Sequence, residues 1–294
     1  MRVSHETLVD QSLRRLQHRL RSFEDTQVQL GTGKRFQVAS EDVAGMNVGL
    51  SLRAEVRALD QAQRNGEDGT ARINAADSQL QQMVSTMRRA RELTIRGSTN
   101  SSQDERDAIA DEIRQLRDEL VSTANGSYLD QGLFAGFAAA DAISDVAGTW
   151  TYTGDTGAVI RRVADGENVQ VNVTGDEIFG FNAGRDVFTV MDDLEADLRA
   201  GDQAAVTGRI GELDDRLDGV LSGLAELGAA GSRLEAAAQR NEEQRGVLNT
   251  RLAEVEDVDL TEAVMELQTQ EVALQATLGA LGRALQPSLV DFLG

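Results

Sequence analysis

The residues that could do chemistry in this chain are two histidines, a glycine-lysine segment and several groups of acids. His5 and His18 have no third nitrogen or thiol to join them, because the sequence contains no other histidine and no cysteine. A multi-histidine metal site is therefore excluded, and we expect both side chains at the surface. The same lack of cysteine excludes disulfides and thiol catalysis.

The segment Gly31-Thr32-Gly33-Lys34 is similar to part of a phosphate-binding loop. The complete motif needs a longer spacing between its glycines and Ser or Thr after the lysine, whereas Arg35 follows here. The segment also follows a helical pattern rather than a strand. We therefore interpret these glycines as the end of a helix.

Paired acids at 192–193 and 214–215 could be imagined as metal ligands or as the carboxylates of a glycosidase. Adjacent residues of a helix point in different directions, so solvated helix faces explain them better. The acid-rich turns near residue 155 lack the spacing of a calcium loop. Met83 and Met87 share a helix stripe and are expected to fill a core. The sequence predicts no catalytic, metal or cofactor site, and no enzyme.

Composition bounds the possible partners. The chain has 294 residues, 40% of them hydrophobic, and a formal net charge of −20. Such a surface repels nucleic-acid phosphates and anionic membranes, so neither is an expected partner. No stretch reaches the roughly 20 apolar residues of a membrane span, and no apolar run follows the first charges as in a secretory signal. We expect a soluble chain that is cytoplasmic or exported without a cleaved signal.

The most distinctive feature of the predicted helices is an apolar seam at each end of the chain. Both keep the alternating four-and-three spacing of one helix stripe, interrupted by Gln27 and Glu271. A stripe of this kind must be covered by another helix, so we predict an assembly interface. It consists of Val9, Leu13, Leu16, Leu20, Phe23, Leu30, Leu260, Val264, Leu267, Leu274, Leu278, Leu281, Leu285, Leu289 and Phe292.

Between the seams the pattern alternates between helix and strand. The first helix is predicted over 4–30, and the second runs from an N-cap at Ser40 to about residue 96. A third helix follows the loop at 97–102 and ends near residue 125. Further helices are predicted over 187–198, over 206–255 and after 259. Gly66 and Gly69 inside the second helix predict a kink or a close contact. Strands are predicted at 149–153, 158–163 and 169–173, with turns at 154–155 and 165–166.

These elements predict a mainly α fold: a long coiled-coil bundle formed by paired N- and C-terminal regions, with a small β-rich insert. We expect a terminal coiled-coil assembly region at 1–39 and 256–294, a helical rod at 40–133 and 186–255, and the insert at 134–185. Ordering some thirty terminal residues costs on the order of 30–60 kcal/mol of backbone entropy, which an isolated helix hardly recovers. We therefore expect both ends to order only against other subunits.

Several segments resemble the flagellin superfamily. Gly31-Thr32-Gly33-Lys34-Arg35 followed by Ser40-Glu41-Asp42, the run 63–70 and the run 88–94 are similar to its N-terminal half. Within that superfamily, the segments 256–260, 274–276 and 288–293 and the central stretches 152–155 and 171–179 resemble the hook-associated proteins of the hook–filament junction. The first and last residues depart from the terminal sequence motifs typical of filament flagellins.

The resemblance implies a structural subunit that joins the hook-side junction protein to flagellin subunits, with self-association in a ring. It also implies type III export in an unfolded state, with a cytoplasmic chaperone on the C-terminal helix, and a location in the extracellular flagellum. A short filament flagellin and a cytoplasmic coiled-coil adaptor remain alternatives. A hydrolase hidden in the insert would need a nucleophile–base pair, which the sequence lacks.

Overall fold

The computed structural model describes residues 2–99, 101–138 and 141–284. Long helices dominate, and three short strand pairs lie between the third helix and the fifth. The elements are α1 (Arg2–Thr32), α2 (Val43–Ser98), α3 (Gln103–Ala124), β1 (Ser127–Tyr128), β2 (Gln131–Gly132), β3 (Ile143–Val146), β4 (Thr149–Tyr152), β5 (Ile160–Ala164), β6 (Glu167–Gln170), α4 (Gly175–Ile178), α5 (Val187–Ala200), α6 (Gln203–Glu256) and α7 (Leu260–Ala284).

The described chain divides into two compact units. Unit 1 contains the described residues up to 58 and from 244 onwards, and unit 2 contains residues 59–243. The helices α2 and α6 contribute to both units.

In unit 1 the first helix packs against the last, so the two chain ends pair as predicted. Helix α1 ends at the predicted glycines, where Gly33 adopts a φ of +70° that favours a residue without a side chain. The predicted N-cap at Ser40 is wrong. Asp42 caps α2, because its carboxylate accepts a hydrogen bond from the Gly45 amide at 2.8 Å and its carbonyl accepts one from Met46.

Unit 2 has a continuous apolar core to which α2, α3, α5, α6 and the strand-containing region all contribute. Met83 and Met87 are fully buried in it, as predicted. Helix α3 begins with a capping box between Ser102 and Glu105 and packs against α5. The other large core side chains on these helices are Ile73, Leu80, Val84, Leu93, Ile109, Ile113, Leu120, Val187, Phe188, Val190, Met191, Leu194, Leu198, Val206, Leu213, Val220, Leu227 and Leu234.

The strands form three separate antiparallel pairs: β1 with β2, β3 with β4, and β5 with β6. Two of the predicted strands pair through the expected turn at 165–166. The turn predicted at 154–155 is not a hairpin turn, because β4 pairs with β3, the strand that precedes it in the chain. The sequence does not predict β3. The connecting turn is Ala147-Gly148, where both residues have positive φ.

Side-chain amides complete the hydrogen bonding of these small strand pairs. Asn125 both donates to the carbonyl of Ile143 and accepts from its amide, at 2.9 and 2.8 Å. Asn172 likewise accepts from the Val159 amide and donates to the Gly157 carbonyl. Each amide thus satisfies two backbone groups that no neighbouring strand reaches.

Gly69 provides the close contact expected inside α2. A Cβ at this position would lie 3.1 Å from side-chain atoms of Leu234 and Val171 and 3.3 Å from Arg161. The helix therefore passes close to α6 and to the chain after β6. The same surface buries Arg72, which donates to the Gly132 carbonyl at 3.0 Å, and burial lowers the pKa of its guanidinium. The chain is thus mainly α, with paired terminal regions and a small β insert.

Candidate assembly interface

The predicted seam residues divide into two groups in unit 1. Leu16, Phe23, Leu30, Leu267 and Leu274 are partly buried where α1 and α7 pack together. Leu13, Leu20, Leu260, Val264 and Leu278 remain exposed, with 39–57% of their surface accessible. Val9 and Leu281 lie in α1 and α7, where their side chains are not described, and Leu285, Leu289 and Phe292 lie outside the described residues.

Helix α7 has a second exposed apolar row, which lies outside the predicted seam. Met265 and Val272 are 58% and 67% exposed, and their spacing of seven residues places them on one side of the helix. Val28 on α1 is also half exposed. The predicted seam follows one stripe of each helix, so it does not include these positions. The seven-residue spacing of Met265 and Val272 is the sequence signal that indicates the second row.

A compact set of contacts fixes the α6–α7 junction against the end of α1. The Arg35 amide donates to the Glu256 carbonyl at 2.7 Å, and the Val258 amide donates to the Gly33 carbonyl at 3.0 Å. Lys34 and Asp257 therefore face each other in an isolated antiparallel bridge. This backbone pairing sets where α7 begins relative to α1.

Charged side chains surround this bridge. The side chain of Glu256 is only 4% exposed and accepts from Arg53 at 2.6 Å and from Lys34 at 3.4 Å. Lys34 also donates to Asp257 at 2.7 Å, and this hydrogen bond is the main cause of its raised pKa. The buried carboxylate is thus paired by two cations, which is what burial of a charge requires.

Gly49 explains how Glu256 reaches its position. A Cβ at residue 49 would lie 2.5 Å from the Glu256 carboxylate oxygen, so only glycine leaves room for that oxygen. The sequence predicts a helix end at 31–35 but does not predict this cluster. The partners are separated by more than two hundred residues, so no local pattern could reveal them.

The acid pairs of unit 2 lie on helices, and three of their carboxylates also have hydrogen-bond partners. Asp192 is bonded by Arg117 and, at 2.6 Å, by the indole nitrogen of Trp150. Asp214 accepts two hydrogen bonds from Arg91, at 2.5 and 3.1 Å. Both side chains remain partly open to solvent, with 36% and 42% of their surface exposed, so these faces are solvated but also ion-paired, which the sequence does not predict.

Arginine partners also hold the neighbouring Asp193, which is bonded by Arg185. No cluster of three or more potential metal ligands occurs among the described residues. Within the same residues, no helix is long and apolar enough to cross a membrane.

Two family models match this chain. The model of the bacterial flagellin N-terminal helical region matches residues 3–138, and the model of the bacterial flagellin C-terminal helical region matches residues 210–293. The chain belongs to the flagellin family. It is therefore a structural component of the bacterial flagellum, in a family that is not one of enzymes.

Relatives and solved structures agree with this assignment. The flagellin of Bacillus subtilis (strain 168) is 26% identical over 302 aligned positions, which cover 97% of this chain and 97% of that protein. A structure from Vibrio parahaemolyticus assigned as a flagellar hook-associated protein has a TM-score of 0.70 at 22% identity, covering 74% of this chain and 100% of that one. Flagellar hook associated protein-3 from Legionella pneumophila has a TM-score of 0.64 at 15% identity, covering 69% and 98%.

The resemblance drawn from sequence segments is thereby confirmed. This flagellin-family chain shares its fold with hook-associated proteins, and its sequence relatives include flagellins.

Proposed function

We propose that this chain is the structural subunit of the hook–filament junction, where it joins the hook-side junction protein to the first flagellin subunits. The fold that it shares with hook-associated proteins supports the proposal, together with the resemblance of its two central stretches to them. The Tyr152 hydroxyl lies 2.9 Å from the Phe134 carbonyl and 2.7 Å from the Asp155 carbonyl. The Gly175 amide donates to the same Phe134 carbonyl at 2.8 Å. The segments that resemble hook-associated proteins thus meet around one carbonyl in unit 2.

A junction subunit needs surfaces for neighbours at its ends. We assign residues 1–39 and 256–294 to assembly, residues 40–133 and 186–255 to the helical rod, and residues 134–185 to the insert. The exposed seam residues of α1 and α7 support this division, because the packing of one helix on the other leaves them accessible to solvent. A ring of copies would bury these side chains. Each Å² of apolar surface buried in this way would stabilise the assembly by about 25 cal/mol.

The same exposure supports a coupling between assembly and order. With Leu13, Leu20 and Leu278 uncovered, the free subunit lacks part of the burial that would offset the entropy of ordering two terminal helices. We propose that both ends order fully only in the assembled junction. Export through the flagellar type III apparatus, with a cytoplasmic chaperone on the C-terminal helix, belongs to the same proposal.

A second candidate is a short filament flagellin. It is favoured by the alignment with the Bacillus subtilis flagellin over nearly the full length of both chains. The two functions differ in where the protein accumulates: a junction subunit occupies one narrow zone, whereas a filament flagellin repeats along the whole filament.

Immunogold electron microscopy of flagella separates these candidates. We expect label at a single band between hook and filament, with the hook left bare and flagellin released into the medium when the gene is deleted. Label along the entire filament would favour the filament flagellin. Normal filaments and motility in the deletion strain would contradict both candidates as the essential subunit.

A further inference from the structure

The positive charge of this acidic chain is concentrated at its beginning. Residues 1–35 contain seven basic and four acidic side chains, a net charge of +3. The remaining 259 residues contain 22 basic and 45 acidic side chains, a net charge of −23. One terminal segment is therefore opposite in sign to the rest of the molecule.

Four arginines of α1 form one face of that helix. Arg14, Arg15, Arg19 and Arg21 are all exposed, and at 100° per residue they fall within an arc of about 160°. This arginine face lies beside the leucine seam rather than on it. Arg15 and Arg19 are four residues apart, a spacing at which like charges repel each other.

Within the part of the chain that the structure describes, none of these four arginines forms an ion pair. Several arginines of unit 2 differ: Arg91, Arg117, Arg185 and Arg209 each hold one or more carboxylates. Among the described residues, the arginine face is thus a group of neighbouring positive charges without ion-pair partners.

The face borders an open cavity in unit 1. The cavity has a volume of about 360 Å³ and is lined by Arg15, His18, Arg19 and Ser22 from α1 and by Glu266 and Gln270 from α7. Glu266 accepts a hydrogen bond from Gln270 at 2.9 Å rather than from an arginine. The two guanidinium groups outnumber the single carboxylate of the lining, so the cavity has a net positive charge that suits an incoming carboxylate.

We propose that the arginine face of α1 is a docking surface for the acidic surface of a second copy of this chain, with a carboxylate of that copy entering the cavity. The inference rests on the proposed assembly function and names the partner of one of its surfaces. Charge complementarity carries it, since every copy presents a region of net charge +3 and a region of net charge −23. Contacts between two different surfaces of identical copies propagate into rings or helices.

The first test replaces the charge. The pair Arg15→Gln and Arg19→Gln should lower incorporation into isolated flagella by about tenfold, because pairing across an interface needs both signs. The matched control is the pair Arg57→Gln and Arg251→Gln, which removes the same charge from exposed, unpaired positions of unit 1 and should incorporate normally. Circular dichroism must show equal helix content in both variants. Equal incorporation of the two pairs would overturn the docking surface.

The second test identifies the partner. Lys34 is the only lysine of the chain, so Arg19→Lys adds one new side-chain amine while keeping the charge. Carbodiimide treatment of assembled flagella should couple that amine to a carboxylate of another copy and give a covalent dimer, which wild type and Arg57→Lys should not give.

Coupling to a different flagellar protein, or no coupling at all, would overturn the second copy as occupant. Immunogold label away from the junction would overturn the proposed junction role but leave a covalent dimer, and hence the docking surface, intact. The failures of the two proposals are therefore distinguishable.

Discussion

The ammonium group of Lys34 lies 2.7 Å from the carboxylate of Asp257, across 223 positions of sequence. Backbone hydrogen bonds flank this ion pair on both sides, and Glu256 lies beneath it with 4% of its side chain exposed. The pair therefore marks the place where the end of α1 is fixed to the start of α7.

The two acids of this cluster should contribute unequally to stability. Glu256→Gln should lower the free energy of unfolding by about 1–3 kcal/mol, because it removes a buried partner of two cations. Asp257→Asn should cost less than about 1 kcal/mol, since its ion pair is half exposed. Urea unfolding followed by circular dichroism measures both. Equal costs would mean that Glu256 has no special role.

The reactivity of Lys34 should report its ion pair. Its pKa is raised chiefly by the hydrogen bond to Asp257, so less of the reactive neutral amine exists at mildly alkaline pH. Asp257→Asn should lower that pKa and speed acylation. Mass spectrometry can follow the modification, because this is the only side-chain amine in the protein. An unchanged rate in the variant would show that the contact does not persist in solution.

Tyr152 should ionise late. Burial first, and then the charges of Asp155 and Asp176, raise the pKa of its phenol to about 12 from a usual value of 10.0. The native state favours the neutral phenol, so this stabilisation is present below pH 10 and is lost as the pH approaches 12. Near-ultraviolet absorbance should show a transition close to pH 12 that Tyr152→Phe removes. A variant with the same titration curve as wild type would contradict this assignment.

Charges in the seam should block assembly without unfolding the rod. Leu278 is 52% exposed in the single chain, so Leu278→Asp should change the free energy of unfolding by no more than about 0.5 kcal/mol. Combined with Leu274→Asp, it should abolish incorporation, because both carboxylates would enter an apolar interface. Immunoblots of isolated flagella measure the loss.

The control for the seam variants is Leu129→Asp, which adds the same single charge as Leu278→Asp at a residue of unit 2 that is 74% exposed. It should incorporate like wild type. Incorporation of the seam double variant would exclude α7 from the interface.

Two glycines of α2 should respond in opposite directions to alanine. Gly66→Ala should stabilise by about 0.5–1 kcal/mol, because helix propensity rises and the new methyl group makes only an ordinary contact. Gly69→Ala should destabilise by about 1–3 kcal/mol, because its methyl group would press on Leu234, Val171 and Arg161. Thermal unfolding of both variants tests the difference, and equal shifts would contradict the close packing at residue 69.

The sequence predicts features that depend on residues close together in the chain better than features that depend on distant residues. Apolar periodicity is local, and it located the long helices and the pairing of the chain ends. Competition within a few residues already caused an error at Ser40, because Asp42 lies nearer to the free amides of α2 and takes the cap.

Contacts between distant segments were beyond such patterns. Asp192 looked like a solvated acid, and only the fold brings Arg117 and Trp150 to it. The junction at Lys34 and Glu256, and the unpaired state of the arginine face, likewise depend on which helices meet.

Pairing between α1 and α7 has a kinetic consequence. The strand pairs of unit 2 join neighbours in sequence, and such short loops close quickly. The contact between the two terminal helices closes a loop of more than two hundred residues and must come late. A chain that starts in extended form would therefore fold from its middle outwards. Its two terminal helices would be the last elements to pair.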